Sequence, residues 1–253
     1  MHVLKRYSIW GRAIAIVLVG AGLASVRAET ITVLGGDGFA PTTYISNGEP
    51  AGVLVDLLKR VSDKTGDSYR VRLLPWKRAY DAAMRGEGAI MGLSLTPERR
   101  EVFQFSDPMH YNELQLVVRK GQEFEFTRLS DLKGKKMGGG LGVSYGEAVD
   151  TAVAQGLFDM ERDTDATVRI AKVLQGSLDA AVIGHGMPGF EAIIASNARL
   201  NSRRGELSIL PHPLSRDPLY FAMLKTMPHQ DSLVRFNKAM RELNLVSPAR
   251  SVP

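Results

Sequence analysis

Ser94, Thr96 and Arg99 stand close together in the run Gly92-Leu93-Ser94-Leu95-Thr96-Pro97-Glu98-Arg99, and these residue types can hold an anion. Thr96-Pro97-Glu98 reads as an N-cap, a proline at the first helical position and an acid in the first turn, so a helix is expected to begin there. A helix start presents unpaired N–H groups and partial positive charge. Here the Ser94 and Thr96 hydroxyls stand beside that end. Arg99, three residues beyond the cap, carries a planar guanidinium that can grip a carboxylate through two parallel hydrogen bonds. The same residues also fit a purely structural arrangement, in which Thr96 caps and Arg99 pairs with Glu101 or solvent.

Other candidates lie at comparable places. Phe39 follows the first apolar segment through Gly35-Gly36-Asp37-Gly38 and could stack on a ligand or fill a core. Trp76 follows Pro75 at an expected helix start, on an otherwise apolar helical face. Ser144 and Glu147 have the spacing of a capping box, and the Ser144 hydroxyl and Tyr145 N–H at that helix start would also face an anion.

The elements that must position these residues read as short apolar strands alternating with amphipathic helices, an α/β pattern around mainly parallel sheets. Strands are expected at Ile31–Leu34, Tyr69–Leu74, Ala89–Leu93, Leu114–Val118, Lys135–Gly139, Leu178–Ile183 and Tyr220–Leu224. Leu54, Leu57, Leu58 and Val61 fall at i, i+3, i+4 and i+7 of a helix that stops before Gly66. Further helices are expected from Pro75, from Thr96, over Ser144–Gln155 and Thr167–Leu174, and around Leu233, Phe236, Met240 and Leu243. Two strand-helix runs, joined near Tyr111–Glu113 and again near Lys225–Met227, predict two lobes with two crossings. The expected division is 29–111 plus 226–253 for the first lobe and 112–225 for the second. In open α/β folds the ligand lies at the strand carboxyl ends, here the cleft between lobes.

The amino-terminal residues have the pattern of an export signal. Lys5, Arg6 and Arg12 precede an apolar run from Ala13 to Ala24, too short for a comfortable membrane span, and Val26-Arg27-Ala28 provides small residues for cleavage after Ala28. The formal charge of the whole chain is +5, and the four basic residues of 1–28 account for all but +1 of it. The remaining chain therefore lacks the basic excess that nucleic-acid binding requires. It contains no cysteine, which removes disulfides, thiol catalysis, cysteine metal sites and lipid attachment at a cysteine.

Taken in order, Asp37-Gly38-Phe39-Ala40-Pro41, Gly48 to Asp56, Trp76 to Gly86, Ser94 to Arg99, Phe105 to Pro108, Asp131 to Lys136 and Gly142-Val143-Ser144 resemble the family-3 extracellular solute-binding proteins over nearly the whole chain after residue 28. The resemblance implies a type II periplasmic-binding-protein fold, two α/β lobes on a two-crossing hinge, that closes around a small solute and delivers it to an ABC transporter permease. It implies that Arg99 binds the solute carboxylate, that Ser94 and Ser144 assist from opposite lobes, and that Phe39 lies against the solute. A monomer is implied, with no cofactor, no metal and no nucleic acid.

One departure bears on specificity. Amino-acid-binding members carry an aspartate after the strand equivalent to Asp179–Ile183 to receive the solute ammonium, and this chain has Gly184-His185-Gly186 there. A desolvated ammonium needs a counter-charge, so either Asp37 supplies it from the other lobe or the solute has no α-ammonium. His185 could donate to a second carboxylate or a ring. Two further roles stay open on the same fold: a partner-binding sensor or accessory protein, and an enzyme, since relatives include dehydratases acting on cyclic carboxylates.

Overall fold

The computed structural model describes residues 30–228 and 230–245. The expected leader and cleavage site, residues 1–28, lie outside the described residues. The elements run β1 (Thr30–Gly36), β2 (Tyr44–Ser46), β3 (Glu49–Ala51), α1 (Val53–Thr65), β4 (Ser68–Leu74), α2 (Trp76–Met84), β5 (Ala89–Ser94), α3 (Pro97–Val102) and β6 (Phe103–Arg119). They continue through β7 (Lys136–Gly140), α4 (Glu147–Ala154), β8 (Asp159–Asp163), α5 (Ala166–Leu174), β9 (Ala180–Ile183), α6 (Gly186–Ala195), α7 (Ala198–Ser202), β10 (Leu207–Ile209), β11 (Ser215–Leu224) and α8 (Gln230–Glu242).

The main sheet runs β4-β1-β5-β11-β6-β9-β7-β8, with β10 attached to β6. Strand β1 is parallel to β4 and β5, and β7 is parallel to β8 and β9. Two long antiparallel strands join these parallel halves: β6 and β11 pair from Phe103 with Leu224 to Leu114 with Ser215. Their outer ends serve different lobes. Leu219–Ala222 pair with β5 of the first lobe, whereas Gln115–Val118 pair with β9 of the second.

This pairing corrects two expectations. Phe105 to Leu114 is one continuous strand through Pro108, which sits opposite Tyr220 where the register shifts. Proline is tolerated in strands at such irregularities because no ladder hydrogen bond is then lost. The second crossing, expected near Lys225–Met227, lies earlier, around Ser215–Pro218. Tyr220–Leu224 is apolar because the first lobe buries it, not the second. Strand β8 (Asp-Met-Glu-Arg-Asp) escapes a hydropathy reading because it is a polar sheet edge.

Each lobe buries apolar side chains on both faces of its sheet. In the first lobe, Leu54, Leu58 and Val61 of α1 and Phe236 and Met240 of α8 pack on Val33 and Phe221. Ala79, Ala82 and Ala83 of α2 pack on the opposite face with Leu34, Ile90 and Phe103. In the second lobe the strand period of two sends Leu114, Leu116 and Val118 to one core and Val117, with Ile170 and Phe190, to the other. Helix α1 stops where expected: Gly66 adopts φ 79°, and its N–H bonds to the Ser62 carbonyl. Among the described residues, no helix is long and apolar enough to cross a membrane.

Candidate functional site

Between the lobes lies a cleft, partly open to solvent, into which both lobes and the crossing strands project side chains. Phe39 and Trp76 form one wall, their rings edge to face with centroids 6.4 Å apart. They sit over Gly36, where an added Cβ would come within 2.5 Å of the Phe39 ring. Thr42, Ser94, Leu219, Asn112, Ser144 and His185 line the rest of the cleft.

Hydrogen bonds cross between the lobes. The Trp76 Nε1–H donates to the Gly142 carbonyl at 2.9 Å, and Thr42 Oγ1 meets His185 Nδ1 at 2.7 Å. Arg99 Nη2 donates to the same Gly142 carbonyl at 3.3 Å, while Nη1 donates to the Ser94 carbonyl at 2.9 Å. The guanidinium also lies over the Tyr80 ring, 5.1 Å from its centroid. Arg99 is thus a buried cation that joins β5 to the second lobe; it does not itself line the cleft, and among the described residues only these two carbonyls take its guanidinium N–H groups.

The local causes of this arrangement are visible residue by residue. Thr96 caps α3, accepting the Arg99 N–H on its hydroxyl at 3.3 Å, and Pro97 takes the first helical position. That turn carries the Arg99 side chain back across Ser94. His185 adopts the left-handed conformation, φ 66°, at the start of α6, where its N–H donates to Asn112 Oδ1 at 2.7 Å. The β6 crossing strand thereby holds the loop that presents the imidazole. Burial, followed by the nearby His110, lowers the His185 pKa to about 4, so the ring is neutral at physiological pH. Burial, and then the charge of Arg216, also lower the pKa of His110.

Three candidates take other positions. Asp37 is exposed, and its Oδ1 accepts from the Gly38 and Ile45 N–H groups at 2.7 and 3.0 Å. It organises its own turn and offers no counter-charge to the cleft. Tyr145 is buried in the second-lobe core, its hydroxyl accepting from the Gly140 N–H at 2.6 Å. The Tyr145 N–H is taken by Asp150 Oδ1 at 3.1 Å, so it does not face an anion. The capping box is also absent: α4 starts at Glu147 behind Gly146, φ 95°, with no side-chain cap, and the Ser144 hydroxyl donates to Asp150 Oδ2. A residue at φ 95° interrupts the helical backbone, which shifts the start three residues past Ser144. Thr96 acts through its cap and does not line the cleft.

Sequence reasoning missed Thr42, Asn112 and Asp217. Asp217 is 5% exposed on β11, opposite Asn112, and its Oδ2 accepts from the Ser94 hydroxyl at 2.5 Å. Burial pushes its pKa up to about 6, against the Ser94 hydrogen bond and the Arg99 charge, with Asp150 raising it further. Asp217 lies in the polar start of β11, Ser215-Arg216-Asp217-Pro218, and its hydrogen-bond partner Ser94 is 123 residues away, so no local pattern marked it.

The comparisons with known proteins agree with this architecture. Residues 31–244 match the model of the bacterial extracellular solute-binding proteins, family 3. The L-cystine-binding protein TcyJ of Escherichia coli (strain K12) is 25% identical over 199 residues, which span 78% of this chain and 70% of the relative. An arginine-bound ArgBP from T. maritima superposes with a TM-score of 0.68 at 24% identity, covering 85% of this chain and 95% of that one. A histidine kinase sensor domain with similarity to periplasmic binding proteins superposes with a TM-score of 0.71 at 22% identity, covering 86% and 92%. The fold is the two-lobed type II periplasmic-binding-protein fold, and the chain belongs to the family-3 bacterial extracellular solute-binding proteins.

Proposed function

We propose that the protein captures a small, carboxylate-bearing, amino-acid-like solute in the interlobe cleft and hands it to an ABC transporter. The observation that carries this reading is the convergence of Phe39, Trp76, Ser94, Ser144 and His185 from both lobes on one cleft, with the Arg99 guanidinium held next to it by the carbonyls of Ser94 and Gly142. Arg99 is the carboxylate anchor, because its buried guanidinium keeps N–H groups beyond those given to the Ser94 and Gly142 carbonyls. The aromatic pair covers the apolar part of the solute, and the Ser94 and Ser144 hydroxyls supply polar contacts. The protein performs no chemistry; it acts as an exported, monomeric periplasmic carrier, released after Ala28, and needs neither cofactor nor nucleic acid. TcyJ, an L-cystine-binding protein by name, supports the solute class.

Trp76 supplies the test. It is the sole tryptophan after residue 28, and its Nε1 bonds across the cleft. Intrinsic fluorescence of the chain from Glu29 therefore reports on this wall of the cleft. Titration with L-cystine, L-arginine, L-glutamine and other amino acids should produce a saturable change with at least one of them. A flat response to every amino acid, with equally flat calorimetry, contradicts the proposal and favours a partner-binding sensor role.

A further inference from the structure

Asp217 stands on the crossing strand rather than on the loop after β9, and the sheet register fixes where it points. Side chains directly opposite on antiparallel strands share a face, as do alternate residues along one strand. Ser94 is opposite Leu219, Asp217 is two residues from Leu219, and Asn112 is opposite Asp217. Ser94, Leu219 and Asn112 all line the cleft, and the register puts Asp217 on the same face of the sheet, next to the cleft and bonded to the cleft-lining Ser94 hydroxyl.

Its hydrogen bonding is incomplete. Oδ2 accepts from Ser94, and among the described residues no donor is found for Oδ1. Neighbouring Asp150, by contrast, has both oxygens engaged, by the Ser144 hydroxyl and the Tyr145 N–H. Arg99 is near enough to act on Asp217 electrostatically but forms no ion pair with it, its Nη atoms being directed to the Ser94 and Gly142 carbonyls. Elsewhere around the cleft, His185 is neutral and Asp37 is turned outward. A buried carboxylate with one open oxygen beside a solute cleft calls for a cation from the solute.

We propose that Asp217, oriented by the Ser94 hydroxyl, receives a positively charged nitrogen of the solute, so that the cleft selects an ammonium-bearing carboxylate over a simple carboxylate. The inference rests on the reading of the cleft as a solute site with Arg99 as carboxylate anchor. It assigns the cationic half of recognition to the strand crossing between lobes, opposite in charge to the Arg99 corner. A solute bridging the two would hold β5, β11 and the second lobe together in the closed form.

The test is calorimetric titration of the chain from Glu29 and of Asp217→Asn with three probe sets. These are L-amino acids including L-cystine and L-arginine, the 2-hydroxy acids that lack the ammonium group, and amines that lack the carboxylate, such as putrescine. The native chain should prefer an amino acid over its 2-hydroxy analogue by about 100-fold or more, and Asp217→Asn should collapse that ratio toward one. A purely structural aspartate would weaken both ligands alike and leave the ratio unchanged, which would overturn the inference. Binding of 2-hydroxy acids as tight as that of amino acids would overturn it while leaving the carboxylate anchor standing. Asp217-dependent binding of amines alone would support it and sink the carboxylate anchor. Failure of every nitrogen-bearing probe to bind the native chain would also overturn it. Should Asp217→Asn fail to fold by circular dichroism, Asp217→Glu, which keeps the charge but moves it, should lower the same ratio.

Discussion

Thr42 and His185 come from opposite lobes, yet Thr42 Oγ1 and His185 Nδ1 lie 2.7 Å apart, a contact across the cleft separate from that of Arg99 with Gly142. Both side chains line the cleft, so the contact ties one lobe to the other across it. Thr42→Val keeps the side-chain shape and removes the hydroxyl. It should weaken solute binding by about 5- to 30-fold, on the order of 1–2 kcal/mol, mainly through faster release. Stopped-flow fluorescence checks this; an unchanged dissociation rate would show that the contact does not hold the closed form.

His185 makes stability depend on pH in a stated direction. Its folded pKa of about 4 lies below the ordinary histidine value of 6.5, so the unfolded chain binds the proton more tightly. The stability from the neutral ring is complete above pH 6.5 and is lost as pH falls toward 4, reaching roughly 2 kcal/mol at pH 5. The lowered pKa of His110 acts in the same sense. Thermal unfolding of native protein and His185→Gln at pH 7 and pH 5 should show the native chain losing more on acidification. Identical losses would contradict the neutral, buried ring.

Asp217 acts in the opposite sense. Its folded pKa of about 6 exceeds the unfolded value of 3.8, so the carboxylate destabilises the solute-free protein as pH rises through that window. Asp217→Asn should therefore stabilise the solute-free protein at pH 7 by on the order of 1–3 kcal/mol, read as a raised unfolding midpoint, and the gain should vanish below about pH 4. A destabilised Asp217→Asn at pH 7 would mean that the carboxylate serves the fold itself.

Gly189 in α6 packs against the loop that presents His185. A Cβ there would fall 2.0 Å from the Gly184 carbonyl oxygen and 3.0 Å from the His185 Cβ. Because the first obstacle is backbone, Gly189→Ala should cost about 1–3 kcal/mol and displace the imidazole from Thr42. Denaturant unfolding together with solute affinity checks both parts; wild-type values for each would refute the close packing.

Much of this arrangement was legible where local chemistry agrees with the fold. The Leu54, Leu57, Leu58 and Val61 spacing became the buried face of α1, and Thr96-Pro97 starts α3 as a cap and first residue. What escaped depends on pairing across the chain. The 17-residue strand β6 passes through Pro108, whose place is decided by Tyr220 on β11, more than a hundred residues away. Ser144 looked like a cap because Glu147 stands three residues on, but Asp150 takes its hydroxyl and Gly146 resets the backbone. Asp217 was hidden because its partner, Ser94, is 123 residues distant. Asp37 looked available because it stands next to the first strand, whereas its side chain is exposed and its Oδ1 accepts two N–H groups of its own turn.

The central claim is that Arg99 anchors a solute carboxylate in the interlobe cleft. It is tested most directly by thermal unfolding of the chain from Glu29 and of Arg99→Ala, each with and without the amino acid that binds the native chain most tightly. At a concentration 100-fold above the dissociation constant, that solute should stabilise the native chain by about 2.7 kcal/mol. Arg99→Ala should still unfold cooperatively and show no solute-induced rise in midpoint. A rise equal to that of the native chain would contradict the account.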